Sequence, residues 1–306
     1  MRRNFDEKEK LEITAIYKVN RSDELLTFLL NKCKTSRNNV KNLLTNHQVL
    51  VNGSVVSQYN FMLAKDDEIK ISKRPIHTEE KRMPKASKRV YSINIIYEDD
   101  DFIAIDKPYG LLSVESDKDR ECAYAYMLSY LQARSKALRP FILHRIDKET
   151  SGVLVFAKNV KIHSMMKLNW NDYVKVREYY AVVEGRMEKK SDTIISYLKE
   201  NQNNLVYSTE DPKGQKAITH YQVIKENNEY SLLKVEIDTG RKNQIRVHMQ
   251  DLGHPIVGDE KYGYNKNPLK RLGLHASKLV FEHPITHNLI TIEANVPNNF
   301  LNLFKW

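Results

Sequence analysis

Asp147 stands in the run Leu143-His144-Arg145-Ile146-Asp147-Lys148-Glu149-Thr150-Ser151-Gly152, directly ahead of the apolar residues 153–157. That order places a carboxylate in a loop at the end of a strand, among cations. Arg145 and Asp147 are two apart, so an extended backbone points them the same way. A carboxylate so placed can serve as nucleophile or base, although charged loops before strands are common. A second run, Thr239-Gly240-Arg241-Lys242-Asn243-Gln244-Ile245-Arg246-Val247-His248, turns at Gly240 and opens a helix. Its start offers backbone N–H groups and several cations, which suits an anionic group. Arg246, if it faces inward, pairs with a buried acid; a solvated basic helix start is the plainer alternative. A third run, Arg177-Glu178-Tyr179-Tyr180-Ala181, is a strand with paired tyrosines, one for the core and one for a site or a stacked base. The histidines, His144 and His248 among them, lack the spacing of a zinc hydrolase and read as structural hydrogen-bonders.

The elements that must position these residues follow from patterning. Strands are expected over 95–97, 102–105, 153–157, 179–184, 204–208, 218–224, 231–237, 279–282 and 289–293. Helices are expected over 161–168 and from about Gln244. Strands joined by short turns, without strict βαβ alternation, argue α+β with a largely antiparallel or mixed sheet. Ahead of this body lies a small α+β module at 21–72. Ser22 and Ser36 are expected to cap its two helices, and Asn52-Gly53 between β-branched runs reads as a hairpin turn. Residues 1–20 carry no firm signal. Residues 73–92, with seven bases against two acids and two prolines, read as a basic linker. The divisions expected are therefore an extension (1–20), the module (21–72), the linker (73–92) and the body (93–306).

Charge follows that division. The net charge is +10, and residues 1–92 hold 19 basic against 11 acidic side chains while the remainder hold 30 against 28. A basic appendage on a near-neutral body suits a polyanion partner. No stretch approaches the ~18 apolar residues of a membrane span, and the charged start at Met1-Arg2-Arg3 has no apolar signal region. Two distant cysteines, Cys33 and Cys122, fit a reducing cytoplasm with neither disulfide nor metal centre.

Residues 144–152 match throughout the His-Arg-Ile-Asp-Lys-x-Thr-Ser-Gly signature of the RluA-like pseudouridine synthases, and the resemblance runs in order over about 93–295. Residues 95–110 resemble that family's opening strands and Lys-Pro-x-Gly turn. Residues 177–185 resemble its basic-x-Tyr-x-Ala segment, aligning Tyr179 with its active-site tyrosine. Residues 239–248 resemble its Thr-Gly-Arg-x-x-Gln-Ile-Arg-Val-His segment, with Asn243 where many members have His. The resemblance implies the pseudouridine synthase fold and isomerisation of uridine in RNA without cofactor or metal. It implies Asp147 as the catalytic carboxylate, acting at the ribose, with Tyr179 against the target base and Arg246 as the guanidinium partner of Asp147. It places His144, Arg145, Thr150, Arg241, Gln244, Ile245 and Lys107 around the substrate, Arg145 filling the space of the extruded base. Residues 21–72 resemble the small RNA-binding domain of ribosomal protein S-four, which implies RNA contacts near Arg37, Lys41 and Asn52. A cytoplasmic monomer acting on large-subunit ribosomal RNA is expected, with transfer RNA as the alternative substrate. The competing class, a non-catalytic RNA-binding or ribosome-assembly factor, is favoured if Asp147, Tyr179 or Arg246 is replaced, and all three are present.

Overall fold

A computed structural model of the chain describes residues 12–59, 61–76, 91–116, 119–264 and 267–304. The chain divides into two compact units, Met1–Lys88 and Arg89–Trp306.

The first unit contains β1 (Ile13–Lys18), β2 (Asp23–Glu24), α1 (Leu25–Cys33), α2 (Arg37–Thr45), β3 (Val49–Val51), β4 (Ser54–Val55), β5 (Met62–Leu63) and β6 (Glu68–Ser72). Four strands form a sheet in the order β1-β6-β3-β4, and β2 pairs with β5. Leu25, Phe28 and Leu29 of α1 and Val40 and Leu44 of α2 share one core with Val49, Val51 and Ile69 of the sheet. Ser36 caps α2, its hydroxyl accepting the Asn39 N–H at 3.2 Å. Ser22 does not cap α1, whose preceding residue is Glu24 at the end of β2. The hairpin turns on Asn52 (φ 50°) and Gly53 (φ 82°), both left-handed, as a two-residue type I′ connection requires. The stretch that carried no firm signal contains β1, which pairs with β6. Its inward set, Ile13, Ala15 and Tyr17, is obscured by Ile16, an outward apolar residue that blurs the alternation. Of the expected linker, residues 77–90 lie outside the described residues. Residues 73–76 are still tied to this unit, the Lys73 N–H to the Glu12 carbonyl and the Ile76 N–H to that of His47.

The second unit contains β7 (Asn94–Glu98), β8 (Phe102–Lys107), α3 (Ala123–Arg134), β9 (Phe141–Ile142), β10 (Ser151–Ala157), α4 (Val160–Leu168), α5 (Trp170–Tyr173) and β11 (Val174–Glu184). There follow β12 (Ser191–Glu200), β13 (Val206–Thr209), β14 (Gln215–Glu226), β15 (Tyr230–Ile237), α6 (Gln244–Asp251), β16 (Leu274–Glu282), β17 (Leu289–Glu293) and α7 (Asn298–Asn302). Its mixed sheet runs β13-β12-β14-β15-β11-β16-β10-β8-β7, with β17 beside β16 and β9 beside β10. Among these pairings only β10 with β16 is parallel, joined at Ser151↔His275 and Gly152↔Ala276. The α+β class and the largely antiparallel sheet expected from patterning are present. The helices α3, α5 and α7 and the strands β9 and β12 are additional to the expected elements, and most observed strands are longer.

Alternation along the central strands feeds two cores. Phe102, Ala104, Val153 and Val155 face α4, where Ile162 and Met166 are buried. Ile103, Ile105, Leu154 and Phe156 face α3, where Ala123, Met127 and Leu131 recur every four residues. All seven residues of β10 are buried, as expected of a strand covered on both faces. A third core joins Ala181 and Val183 of β11 and Leu233 and Val235 of β15 to Ile245 and Met249 of α6, which seats α6 on the sheet.

Register brings the three chemical runs together. Gly152 lies opposite Ala276, and Ala276 lies opposite Tyr179. The loop ahead of β10 therefore sits two strands from Tyr179 at the same level. A bulge in β16 at Ser277 shifts the register between Glu178 and Tyr179, a device that re-aims side chains beside sites. The approach at Gly152 is close: its φ is +109°, and an added Cβ would lie 2.0 Å from the Ala276 carbonyl oxygen. Gly152→Ala is expected to cost about 4 kcal/mol or more. Gly253→Ala, also at positive φ but with open space around it, is expected to cost about 1–2 kcal/mol. The fall in thermal unfolding midpoint of each variant checks the contrast.

Candidate active site

Asp147 occupies a loop whose backbone is held on both sides of it. Before it, the Ser113 hydroxyl donates to the Ile146 carbonyl at 2.6 Å and accepts the Ile146 N–H at 3.2 Å. After it, the Lys148 carbonyl accepts the Gly110 N–H at 2.9 Å and the Lys107 ammonium at 3.2 Å. The Thr150 N–H closes the turn on the Asp147 carbonyl at 3.1 Å. Lys107 is fully buried and spends its other donors on the carbonyls of Leu111 (2.7 Å) and Pro108 (3.0 Å). Burial pushes its pKa down to about 7, against the pull of Glu149, Asp147 and Asp106. Lys107 does not line the cleft described next, so it acts on the loop rather than on a ligand there.

A solvent-open cleft gathers Arg145, Asp147 and Thr150 from this loop, Tyr179 from β11, and Arg241, Gln244, Ile245 and Arg246 from the loop and first turn of α6. The three runs singled out from sequence thus meet in one place. Arg145 is exposed at its edge and Thr150 is buried. Tyr179 rather than Tyr180 reaches the cleft, while Tyr180 packs beside Tyr230 and Phe300. Burial, with Asp147 adding, raises the Tyr179 phenol to about 12 against the opposing Arg177 guanidinium. It therefore keeps its proton at neutral pH.

Arg246 pairs with a buried acid, as its run suggested, but the acid is Asp259 and not the Asp147 that the resemblance implied. Its guanidinium is spent on Asp259, Nε and one terminal nitrogen each donating at 2.7 Å to a separate carboxylate oxygen. Its other terminal nitrogen donates to Asn243 Oδ1 at 3.2 Å. Among the described residues it makes no ion pair with Asp147, which acts on it only through space. Burial opposes its charge, but Asp259 and Asp147 outweigh that and leave its pKa raised. A two-pronged bond from a buried partner fixes both the plane and the direction of the guanidinium. Asp259 was in the sequence, 13 residues on, but nothing local marks it as the partner. Asn243 has φ 54°, a conformation Asn tolerates better than most residues, and its amide also donates to the Tyr262 hydroxyl at 3.2 Å.

Several residues expected around the substrate or the RNA already carry structural bonds. Gln244 Oε1 accepts from the Thr239 hydroxyl and the Arg241 N–H, and its Nε2 donates to the Ile218 carbonyl and the Thr219 hydroxyl. The amide is then fully used in shaping the loop. His144 does not line this cleft: its Nε2 accepts the Val155 N–H at 3.1 Å and its ring stacks on Trp170. Burial lowers its pKa to about 4, with Arg177 adding. His248 is likewise consumed, by Thr219 and Ser196, and burial lowers it to about 4. In the first unit Arg37 and Lys41 are exposed. Asn52 is occupied: its amide donates to Asp67 and its oxygen accepts the Glu68 N–H.

Removing the Asp259 carboxylate strands a buried cation at the cleft. Asp259→Ala is expected to lower stability by about 3–5 kcal/mol, read as a drop in urea midpoint. A loss below about 1 kcal/mol would mean that solvent already screens the pair.

Known proteins resemble this chain in sequence and in fold. A family model described as RNA pseudouridylate synthase matches residues 101–251. An uncharacterized RNA pseudouridine synthase of Bacillus subtilis, YhcT, is 31% identical over 284 residues, covering 92% of each chain. The ribosomal large subunit pseudouridine synthase D of Zymomonas mobilis is 29% identical over 312 residues, covering 93% of each. The solved human RNA pseudouridylate synthase domain containing 4 shares the fold at a TM-score of 0.57 and 22% identity, over 68% of this chain and 90% of that one. With its cleft built from one loop, one tyrosine strand and one arginine helix, and with relatives alike along nearly their whole length, this chain belongs to the RNA pseudouridylate synthase family.

Proposed function

We propose that the protein converts uridines of large-subunit ribosomal RNA to pseudouridine, with Asp147 as the catalytic carboxylate. The observation that carries this reading is the convergence of Asp147, Tyr179 and Arg246 on one cleft. The reaction breaks the bond from N1 to the ribose, turns the base, and rejoins the ribose to C5; the C5 proton leaves and N1 gains one. Asp147 acts at the ribose, as nucleophile at the anomeric carbon or as base at the neighbouring carbon. Arg246, held by Asp259, keeps positive charge near that carboxylate. Tyr179 presents a neutral phenol to the base, since its pKa of about 12 makes it a stacking surface and hydrogen-bond donor at pH 7 rather than a base. The target must leave its stack to enter, and Arg145, exposed at the edge, occupies the space it leaves.

Relatives named ribosomal large subunit pseudouridine synthase D support the ribosomal substrate, and transfer RNA is the alternative. The first unit is read as an RNA-binding domain that uses exposed cations such as Arg37 and Lys41, and the enzyme as a cytoplasmic monomer.

Pseudouridine mapping of total RNA, with and without the gene, tests substrate and activity together. Specific sites should vanish and return with wild type but not with Asp147→Ala. The purified variant should lose at least about a thousandfold in rate with its thermal midpoint unchanged. Restoration of every site by Asp147→Ala would leave the non-catalytic RNA-binding reading in its place. Deleting residues 1–92 is expected to weaken RNA binding more than it slows turnover at saturating RNA, because a second contact acts through effective concentration. Equal affinities of the full and shortened chains would contradict this.

A further inference from the structure

A second groove, wide and open to solvent, adjoins the catalytic cleft, and Arg145 lines both. Its walls come from β9 (Phe141 and Ile142), from α3 (Tyr124) and from α4 (His163 and Lys167). Apart from Arg145, the chemistry assigned above uses none of them. The lining combines ring faces with two cations, Arg145 and Lys167, and one carboxylate, Glu115. The Phe141 and His163 rings lie 5.6 Å apart at 32°. Lys167 stands one turn beyond His163 on α4 and is exposed. The platform is rigid: Asn159 caps α4 by accepting the Ile162 N–H at 2.9 Å, and His144 in the same wall is fixed by Val155 and Trp170.

Aromatic faces beside cations are what single-stranded nucleic acid selects, since bases stack while phosphates need positive charge. Residues 143–145 run from the groove wall straight into the loop that carries Asp147. An RNA with its uridine in the cleft therefore has neighbouring nucleotides on the Arg145 side. Those neighbours lose a stacking partner when the uridine is extruded, and RNA is read mostly through such unpaired bases. An apolar peptide would match the ring faces but would gain nothing from Arg145 and Lys167.

We propose that this groove is a second nucleobase subsite, which takes one unpaired base adjacent to the target uridine, stacks it on Phe141 and His163, and holds its phosphate with Lys167. The inference rests on the reading of the cleft as the uridine site. It makes the groove a determinant of which uridines are chosen, because a target without a free neighbouring base leaves the platform bare.

The test uses a transcript that spans a uridine modified by the wild-type enzyme, with each flanking unpaired nucleotide made abasic in turn. At one flanking position the wild-type KM should rise about tenfold with kcat kept. His163→Ala, which removes only a stacking ring, should raise KM similarly on the intact transcript and add little on the abasic one. Ile162 and Met166 still anchor α4 in that variant. Phe141→Leu, which keeps an apolar wall without the ring, should reproduce the effect. Wild-type activity indifferent to every abasic position would overturn the subsite, as would losses that simply multiply. Inactivity of the wild type on the unaltered transcript would overturn the cleft assignment itself, and the subsite with it.

Discussion

One ammonium group, that of Lys107, organises the end of the second unit that carries Asp147. It lies fully buried at the end of β8 and donates to three backbone carbonyls. Two belong to its own turn and the third to Lys148, in the loop before β10. A buried charge without partners is costly, and a buried carbonyl without a donor is costly as well. Each offsets the other only while both segments keep their places. With the Ser113 hydroxyl on Ile146, this leaves the backbone around Asp147 little freedom while its carboxylate points into the cleft. Preorganisation of this kind spares the enzyme the cost of arranging its loop when substrate arrives.

The arginine side of the cleft follows the same logic in side chains. Arg246 is aimed by Asp259 and Asn243, Asn243 is steadied by Tyr262, and Gln244 closes the loop upstream. His144, His248 and His275 sit nearby as hydrogen-bonding spacers, each with its pKa lowered to about 4 by burial. Kept neutral, they add no positive charge to a region already holding Arg177, Arg246 and Arg271.

What sequence revealed and what it did not divide along physical lines. Asp147, Arg145, Thr150, Tyr179 and Arg246 lie in three short runs that match the family's segments, so the resemblance groups them, and they line one cleft. Asp259 and Ser113 act through contacts made only by the tertiary fold, and no local pattern names their partners. Asn52 and Gln244 were recognisable as important, but the bonds that occupy them were not. Among the elements, β10 declared itself by its apolar run. The helix α3 did not, because Tyr124, Tyr126 and Tyr130 spread around it and blunt its amphipathic pattern. The strand β12 hid because its side chains are mostly polar or part-exposed, with Ile195 facing out.

The parallel joint between β10 and β16 carries a consequence for biosynthesis. Ser151 and Gly152 meet His275 and Ala276, partners more than a hundred residues apart in the chain. The same strand, β16, is the neighbour of Tyr179. During translation the motif around Asp147 leaves the ribosome long before the strand that joins it to the tyrosine. Closing so long a loop is slow and comes late. The cleft therefore remains unassembled on a nascent chain until most of the protein has been made, and an incomplete polypeptide has no finished pocket to offer the RNA of the ribosome producing it.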